Sequence, residues 1–188
     1  MNLRPFLPLA PFALSLVVAG CGGGAVQTSL PPADAALTAV STGTAVIAPT
    51  LGNETKGTVV FYEQKDGRVK VVADLEGLKP GMRHAMHVHE KGDCSAPDAT
   101  SAGGHYNPEN FPHSLPPHEP RHAGDLGNVT ADNNGIAHYE ITVDNITIDG
   151  AKNPIRDRAV IVHAAPDDGG QPVGNAGARM GCGVIEVR

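Results

Sequence analysis

Nine histidines and three cysteines are the residues of this 188-residue chain with the most chemistry to offer. His87 and His89 form an H-x-H pair. In an extended strand, residues two apart project from the same face, roughly 7 Å apart, so two imidazoles can reach one metal ion. Alone, such a pair is a weak signal. It gains weight from residues further along the chain: His105, His113, His118 and His122, then Asp125, and finally His163 at the end of Val160-Ile161-Val162-His163. Several imidazoles with one carboxylate suit Zn²⁺ or Cu²⁺ and suit Ca²⁺ or Mg²⁺ poorly. The set predicts a transition-metal centre, because a solvated histidine surface would not account for strand-anchored imidazoles beside a long loop.

The elements that must position these groups read as short strands. Residues 45–48, 58–62, 68–75, 83–89, 136–143, 159–163 and 184–187 alternate or carry β-branched clusters. Lys65-Asp66-Gly67, Lys79-Pro80-Gly81 and Asn133-Asn134-Gly135 are turn signals between them. Gly (23) and Pro (16) are plentiful and aromatics make up only 4%, which again favours turns and strands over long helices. The pattern predicts an all-β antiparallel sandwich or barrel. Residues 89–127 show no strand pattern and are rich in Pro, Gly, His and Asp. A structureless loop of that length in a compact domain is usually functional, and something besides an apolar core must hold it.

Composition bounds the partners and the N-terminus suggests the compartment. With 40% apolar and 18% charged residues the chain can build a core, and a net charge of −6 argues against a nucleic-acid partner. Residues 1–20 read as an export signal, with Arg4, an apolar stretch interrupted by Pro8 and Pro11, and the small residues Ala19 and Gly20. The stretch is too short and too broken to span a membrane. Leu16-Val17-Val18-Ala19-Gly20-Cys21 resembles the lipobox of bacterial lipoproteins, which implies a lipid anchor at Cys21. Residues 21–43 then form a lipidated start and a flexible tether, and residues 44–188 the domain. With Cys21 used in this way, Cys94 and Cys182 are an even pair in an exported protein, and a disulfide is expected. It would close a loop of 88 residues, for which chain entropy predicts roughly 4–5 kcal/mol.

Four motifs in order carry a resemblance over residues 44–188. They are His87-Val88-His89-Glu90-Lys91-Gly92-Asp93; Gly103-Gly104-His105-Tyr106-Asn107-Pro108; Arg121-His122-Ala123-Gly124-Asp125-Leu126-Gly127-Asn128-Val129; and Gly174-Asn175-Ala176-Gly177-Ala178-Arg179-Met180-Gly181-Cys182-Gly183. Together they strongly resemble the copper,zinc superoxide dismutase family, and the Gly92-Asp93-Cys94-Ser95 segment looks like its bacterial branch. The resemblance implies an eight-stranded antiparallel Greek-key barrel with long metal-binding loops, and dismutation of superoxide to O₂ and H₂O₂.

It also implies copper on His87, His89, His105 and His163, and zinc on His105, His113, His122 and Asp125, with His105 bridging the two. His118 competes with His113. The family's steps of eight, nine and three after the bridging residue select His113, His122 and Asp125, leaving His118 and His138 as surface residues. His84 is implied to be a supporting residue, and Arg179 the anion-guiding arginine. Asp167 is implied to link a copper histidine to a zinc histidine, with Asp168 as its rival. Cys94 and Cys182 match the family disulfide. Residues 164–178 contain no Lys or Arg, so Lys91 is the candidate for additional steering. A metal-buffering module on the same fold is the competing class; it would be favoured by loss of a copper ligand or of Arg179, and both are present. The expected location is the cell envelope, as an exported membrane-anchored lipoprotein, which in a Gram-negative cell would mean the periplasm or outer membrane. Monomer and homodimer are both compatible with the sequence.

Overall fold

A computed structural model describes residues 39–187. The expected export signal, Cys21 and the tether up to residue 38 lie outside the described residues. Eight strands occur in order: β1 (Ala39–Pro49), β2 (Lys56–Gln64), β3 (Val69–Glu76), β4 (Arg83–His89), β5 (Asp125–Thr130), β6 (Ala137–Val143), β7 (Ala159–His163) and β8 (Arg179–Val187). One 3-10 turn, Thr100–Ala102, is the only helical element among the described residues.

The strands neighbour one another in the order β5-β4-β7-β8-β1-β2-β3-β6, every pairing antiparallel. Pairing of β4 with β7 and β3 with β6 requires Greek-key crossovers. The two end strands meet across a seam where the Tyr139 hydroxyl donates to the Leu126 carbonyl at 2.8 Å. The result is the expected eight-stranded, nearly closed barrel.

Strand alternation decides where chemistry can sit. On β4, Met86 and Val88 point into the main core while His87 and His89 point outward. On β7, Val160 and Val162 enter that core, whereas Ile161 and His163 face out. The main core is aliphatic, built around Phe61, Ile47, Leu126, Ile146, Ile148 and Ile185. Phe61 is wholly buried, and truncating such a ring to Ala typically costs about 3–5 kcal/mol. A second, small cluster of Ala99, Ala102, Ala159, Ile161 and Cys182 lies outside the barrel wall. It fastens the loop after β4, and the Cys94–Cys182 disulfide locks it there with a Cα–Cα separation of 5.8 Å.

Two readings of the sequence need correction. β1 begins at Ala39 rather than after residue 43, because Ser41, Thr42 and Gly43 pair with Glu63, Tyr62 and Phe61 of β2. Their small polar composition looks like a tether but is compatible with the end of a strand. β5 falls partly in the interval read as strandless. Its Asp125, Gly127 and Asn128 break the apolar alternation, and Gly127 sits at φ +84 where the β4–β5 register shifts. Leu126 and Val129 still bury completely, which is enough to seat a six-residue strand.

Candidate metal centre

The outward histidines of β4 and β7 are covered by the loops after β4 and β7, and two groups of four ligands form beneath that cover. One is His87, His89, His105 and His163; the other is His105, His113, His122 and Asp125. His105 belongs to both. Within each group the candidate ligand atoms lie within 4.8 Å of one another, and all seven residues are buried.

The second group has the dimensions of a tetrahedral metal site. Asp125 Oδ1 lies 3.1, 3.0 and 3.3 Å from Nδ1 of His105, His113 and His122. The Nδ1 atoms of His105 and His122 are 3.3 Å apart. Ligand bonds of about 2.0–2.1 Å to a central ion give tetrahedral edges of about 3.3 Å. Nδ1 of His113, although so close to the carboxylate, makes no hydrogen bond. The two atoms face a common point rather than each other. Asp125 Oδ2 is turned away to accept from the backbone N–H groups of Ser114 (3.2 Å) and His122 (3.0 Å).

The four-histidine group shows the same preparation. Nδ1 of His87, Nε2 of His89 and Nε2 of His163 are buried with no hydrogen-bond partner. The other nitrogen of each ring is occupied. His87 Nε2–H donates to Asp167 Oδ2 at 2.8 Å, His89 Nδ1–H to the Gly103 carbonyl at 2.9 Å, and His163 Nδ1–H to the Gly177 carbonyl at 3.3 Å. A neutral imidazole that donates from one nitrogen presents a lone pair on the other. Three lone pairs therefore converge, and His105 Nε2 completes the set because its Nδ1 faces the other group. Buried donors of this kind fit soft-to-borderline d-block ions.

Asp167 joins the two groups. Its Oδ1 accepts from His113 Nε2–H at 2.9 Å while Oδ2 accepts from His87. Asn128 on β5 clamps the Asp167 backbone in both directions, at 2.7 and 3.0 Å. The rival Asp168 is exposed and accepts from Gly170 and Asn175. His84, wholly buried, donates from Nδ1 to the His163 carbonyl at 2.9 Å and so holds the end of β7. His118 is exposed and bonds only its own turn, through the Leu115 carbonyl. His138 is exposed on β6 against Asp74.

Electrostatics separate the two groups. Burial lowers the pKa of His89 to about 2 and of His163 to about 3, with neighbouring imidazoles and Arg179 adding to the effect. Burial also lowers His105 to about 4, against the pull of Asp125. These rings stay neutral and ready to coordinate. For His113, burial works downward but the adjacent carboxylates of Asp125 and Asp167 outweigh it, carrying the pKa up to about 9. Burial opposes ionisation of Asp125 and Asp167, yet their histidine partners hold both well below the usual carboxylate range.

A cleft of about 410 Å³ opens over the four-histidine group, lined by His89, His105, His163, Asn175, Gly177 and Arg179 among others. Arg179 is fixed by Nη1–H to the Ala99 carbonyl and Nη2–H to the Gly103 carbonyl, both 2.6 Å. Gly103 thus holds His89 and Arg179 through one oxygen. Lys91 is exposed and does not line the cleft.

Several supporting groups were not visible in the sequence. Gln171 brackets the His113 backbone, accepting from its N–H at 3.1 Å and donating to its carbonyl at 2.6 Å. The Gly103 and Gly177 carbonyls leave no side-chain signature at all. Asn128 lay inside a recognised motif, where an amide next to β-branched Val129 was the available clue.

The described fold and site agree with the comparisons to known proteins. Residues 55–185 match the family model for copper/zinc superoxide dismutase (SODC), and the chain belongs to that family. The crystal structure of the clock protein EA4 is similar, with 37% identity, a TM-score of 0.72 and coverage of 79% of this chain and 95% of that one. Copper and zinc are the family's metals, and the two donor sets fit them.

Proposed function

We propose that this protein dismutes superoxide to O₂ and H₂O₂ as a bacterial, exported, lipid-anchored enzyme that protects the cell envelope from oxidative damage. The four-histidine group, His87, His89, His105 and His163, is the copper site. His105, His113, His122 and Asp125 are the zinc site. The observation that carries the reading is the shared His105 between two complete ligand sets, with the open side of one set facing a cleft that holds Arg179. Lipidation at Cys21 and placement in the periplasm or outer membrane rest on the sequence of residues 16–21.

Copper, when bound, supplies the reversible one-electron exchange that dismutation needs, and zinc supplies charge without redox change. Arg179 attracts the anion and orients it, because its guanidinium is already held by two carbonyls and cannot swing away. His105 carries the proton. Its Nδ1 faces the zinc set, so Nε2, the nitrogen that would serve copper, is also the one that could hold a proton whenever it is released from copper and hand it to the reduced oxygen species. A second proton comes from solvent through the open cleft. His87 and His89 are kept in the right tautomer by Asp167 and Gly103.

The test is superoxide decay by protein loaded with copper and zinc, beside His163→Ala and Arg179→Ala. Activity well above an equal amount of free copper, lost in His163→Ala, supports the assignment. Activity equal to free copper overturns it and leaves a metal-binding module. The anchor is tested separately by detergent phase partitioning of full-length protein and Cys21→Ser. An unchanged aqueous distribution of both would sink the lipoprotein reading.

A further inference from the structure

Arg158 ligates nothing and lies outside the cleft, yet it touches both backbone segments that present His89 and His105. Those segments form a short antiparallel ribbon. His89 and His105 are bridge partners across it. Glu90 N–H donates to the Gly104 carbonyl at 3.0 Å, Lys91 N–H to Ala102 at 3.0 Å and Tyr106 N–H to Val88 at 2.9 Å. Val88 and Tyr106 seat the ribbon against the main core, and Gly124 bonds both of its strands, donating to Tyr106 and accepting from Val88; its far end is held by whatever spans Glu90 and Tyr106.

Arg158 closes it with one planar group. Its guanidinium carbon stands 3.5 Å from the centroid of the Tyr106 ring, and Nη1–H donates to the Glu90 carbonyl at 2.6 Å. Nε–H donates to the Pro154 carbonyl at 2.9 Å. Tyr106 is the residue after His105 and Glu90 the residue after His89, so the two contacts fall next to the two ligands. The platform beneath is firm: Ile185 N–H of β8 donates to the Arg158 carbonyl at 2.8 Å, and Arg158 N–H donates to Ile155 at 3.2 Å. A lysine could keep a cation near the ring but has no rigid fork to span ring and carbonyls together.

We propose that Arg158 is a positioning residue that fixes the spacing and tilt of His89 relative to His105, and through them the geometry of the copper site. This rests on the assignment of copper to the four-histidine group. Two of the four copper ligands, His89 and His105, flank this clamp, but only the shared His105 of the zinc set does, so zinc binding should change less than copper binding.

The experiment compares wild type, Arg158→Met and Arg158→Lys, each titrated with copper(II) and zinc(II) against a competing chelator, with the electron paramagnetic resonance spectrum of the copper-loaded forms. Arg158→Met should weaken copper binding about tenfold, the scale at which outer partners act on metal ligands, and alter the copper spectrum. Zinc binding should stay within about threefold on that scale, and Arg158→Lys should fall between. Unchanged copper affinity and spectrum in Arg158→Met overturn the proposal. So does an equal loss of copper and zinc, which would mean general loosening. If Arg158→Met does not fold, Arg158→Lys is judged by the same two criteria. Wild type that fails to bind copper at all refutes the function assignment instead, and does so in the control.

Discussion

Replacing Asp167 by Asn changes one atom and separates the two metal sites. The carboxylate accepts from His113 Nε2–H at 2.9 Å, from His87 Nε2–H at 2.8 Å and from Gly169 N–H at 2.9 Å. An amide of the same shape can accept on one side only; its NH₂ meets an imidazole N–H on the other. That ring must either lose the bond or move its proton to Nδ1, which is the nitrogen it needs for the metal. A buried hydrogen bond to a charged group contributes about 1.5–3 kcal/mol, and the surviving bond becomes neutral and weaker. A total loss of about 3 kcal/mol corresponds to roughly a hundredfold in Kd. The assay is zinc titration of Asp167→Asn against a chelator of known affinity, with Asp168→Asn as control. Asp168 is exposed and faces Asn175, so its variant should bind zinc like wild type. Zinc affinity of Asp167→Asn within threefold of wild type, or a larger loss in Asp168→Asn, would refute the reasoning.

Three further outcomes concern other residues. Gly174→Ala places a Cβ 2.1 Å from Asp167 Oδ1 and 2.8 Å from His113 Nε2 at φ +73; it should weaken zinc retention and lower the melting temperature of the loaded protein by several degrees, as about 1–3 kcal/mol of strain would. Arg179→Ala should reduce the second-order rate with superoxide about tenfold, because one unit charge near the anion in a half-open cleft is worth on the order of 1–2 kcal/mol, and it should flatten the dependence of rate on salt. His138 is raised above its ordinary value by its hydrogen bond to Asp74, with Glu140 adding to it. Its folded pKa exceeds the unfolded value near 6.5, so its stabilisation is full below that and is lost as pH rises through the folded pKa. His138→Ala should cost a few tenths of a kcal/mol at about pH 5.5 and nothing at about pH 9, read by urea unfolding.

What could be read in the sequence divides by the kind of contact involved. β2, β3, β4, β6 and β7 were legible because one face of each meets the core and the alternation survives. β5 was not, because Asp125 and Asn128 serve the site and Gly127 serves a bulge, leaving only Leu126 and Val129 to signal a strand. Ligand histidines were legible because imidazole is a rare side chain and two of them sit at strand spacing. The layer behind them was not. Gly103 and Gly177 act through carbonyls that every residue has, and Gln171 acts on a backbone 58 positions away. Arg158 reads as one more surface charge until the fold stacks it on Tyr106. The resemblance already favoured Asp167 over its rival Asp168; the physical reason lies in the loop's path, which buries Asp167 against His87 and His113 and leaves Asp168 exposed against Asn175.

The site is also part of what folds the outer layer. Nδ1 of His87 and His113 and Nε2 of His89 and His163 are buried without hydrogen-bond partners, and each such atom costs about 1–3 kcal/mol if nothing meets it. The loops carrying His105, His113 and His122 draw limited apolar support from the small cluster around Ile161, from Tyr106 and Ala123 against the main core, and from the disulfide that fastens them. Ions bound at those nitrogens remove the penalty and cross-link β4, β5, β7 and the long loop at once, so metal affinity becomes folding free energy. Chelation should therefore melt the loop between β4 and β5 before the barrel. Its amides should lose exchange protection while those of β2 and β3, which bury Phe61 and Val71, keep theirs. Simultaneous loss across both regions would show that the barrel and the site fold as a single unit.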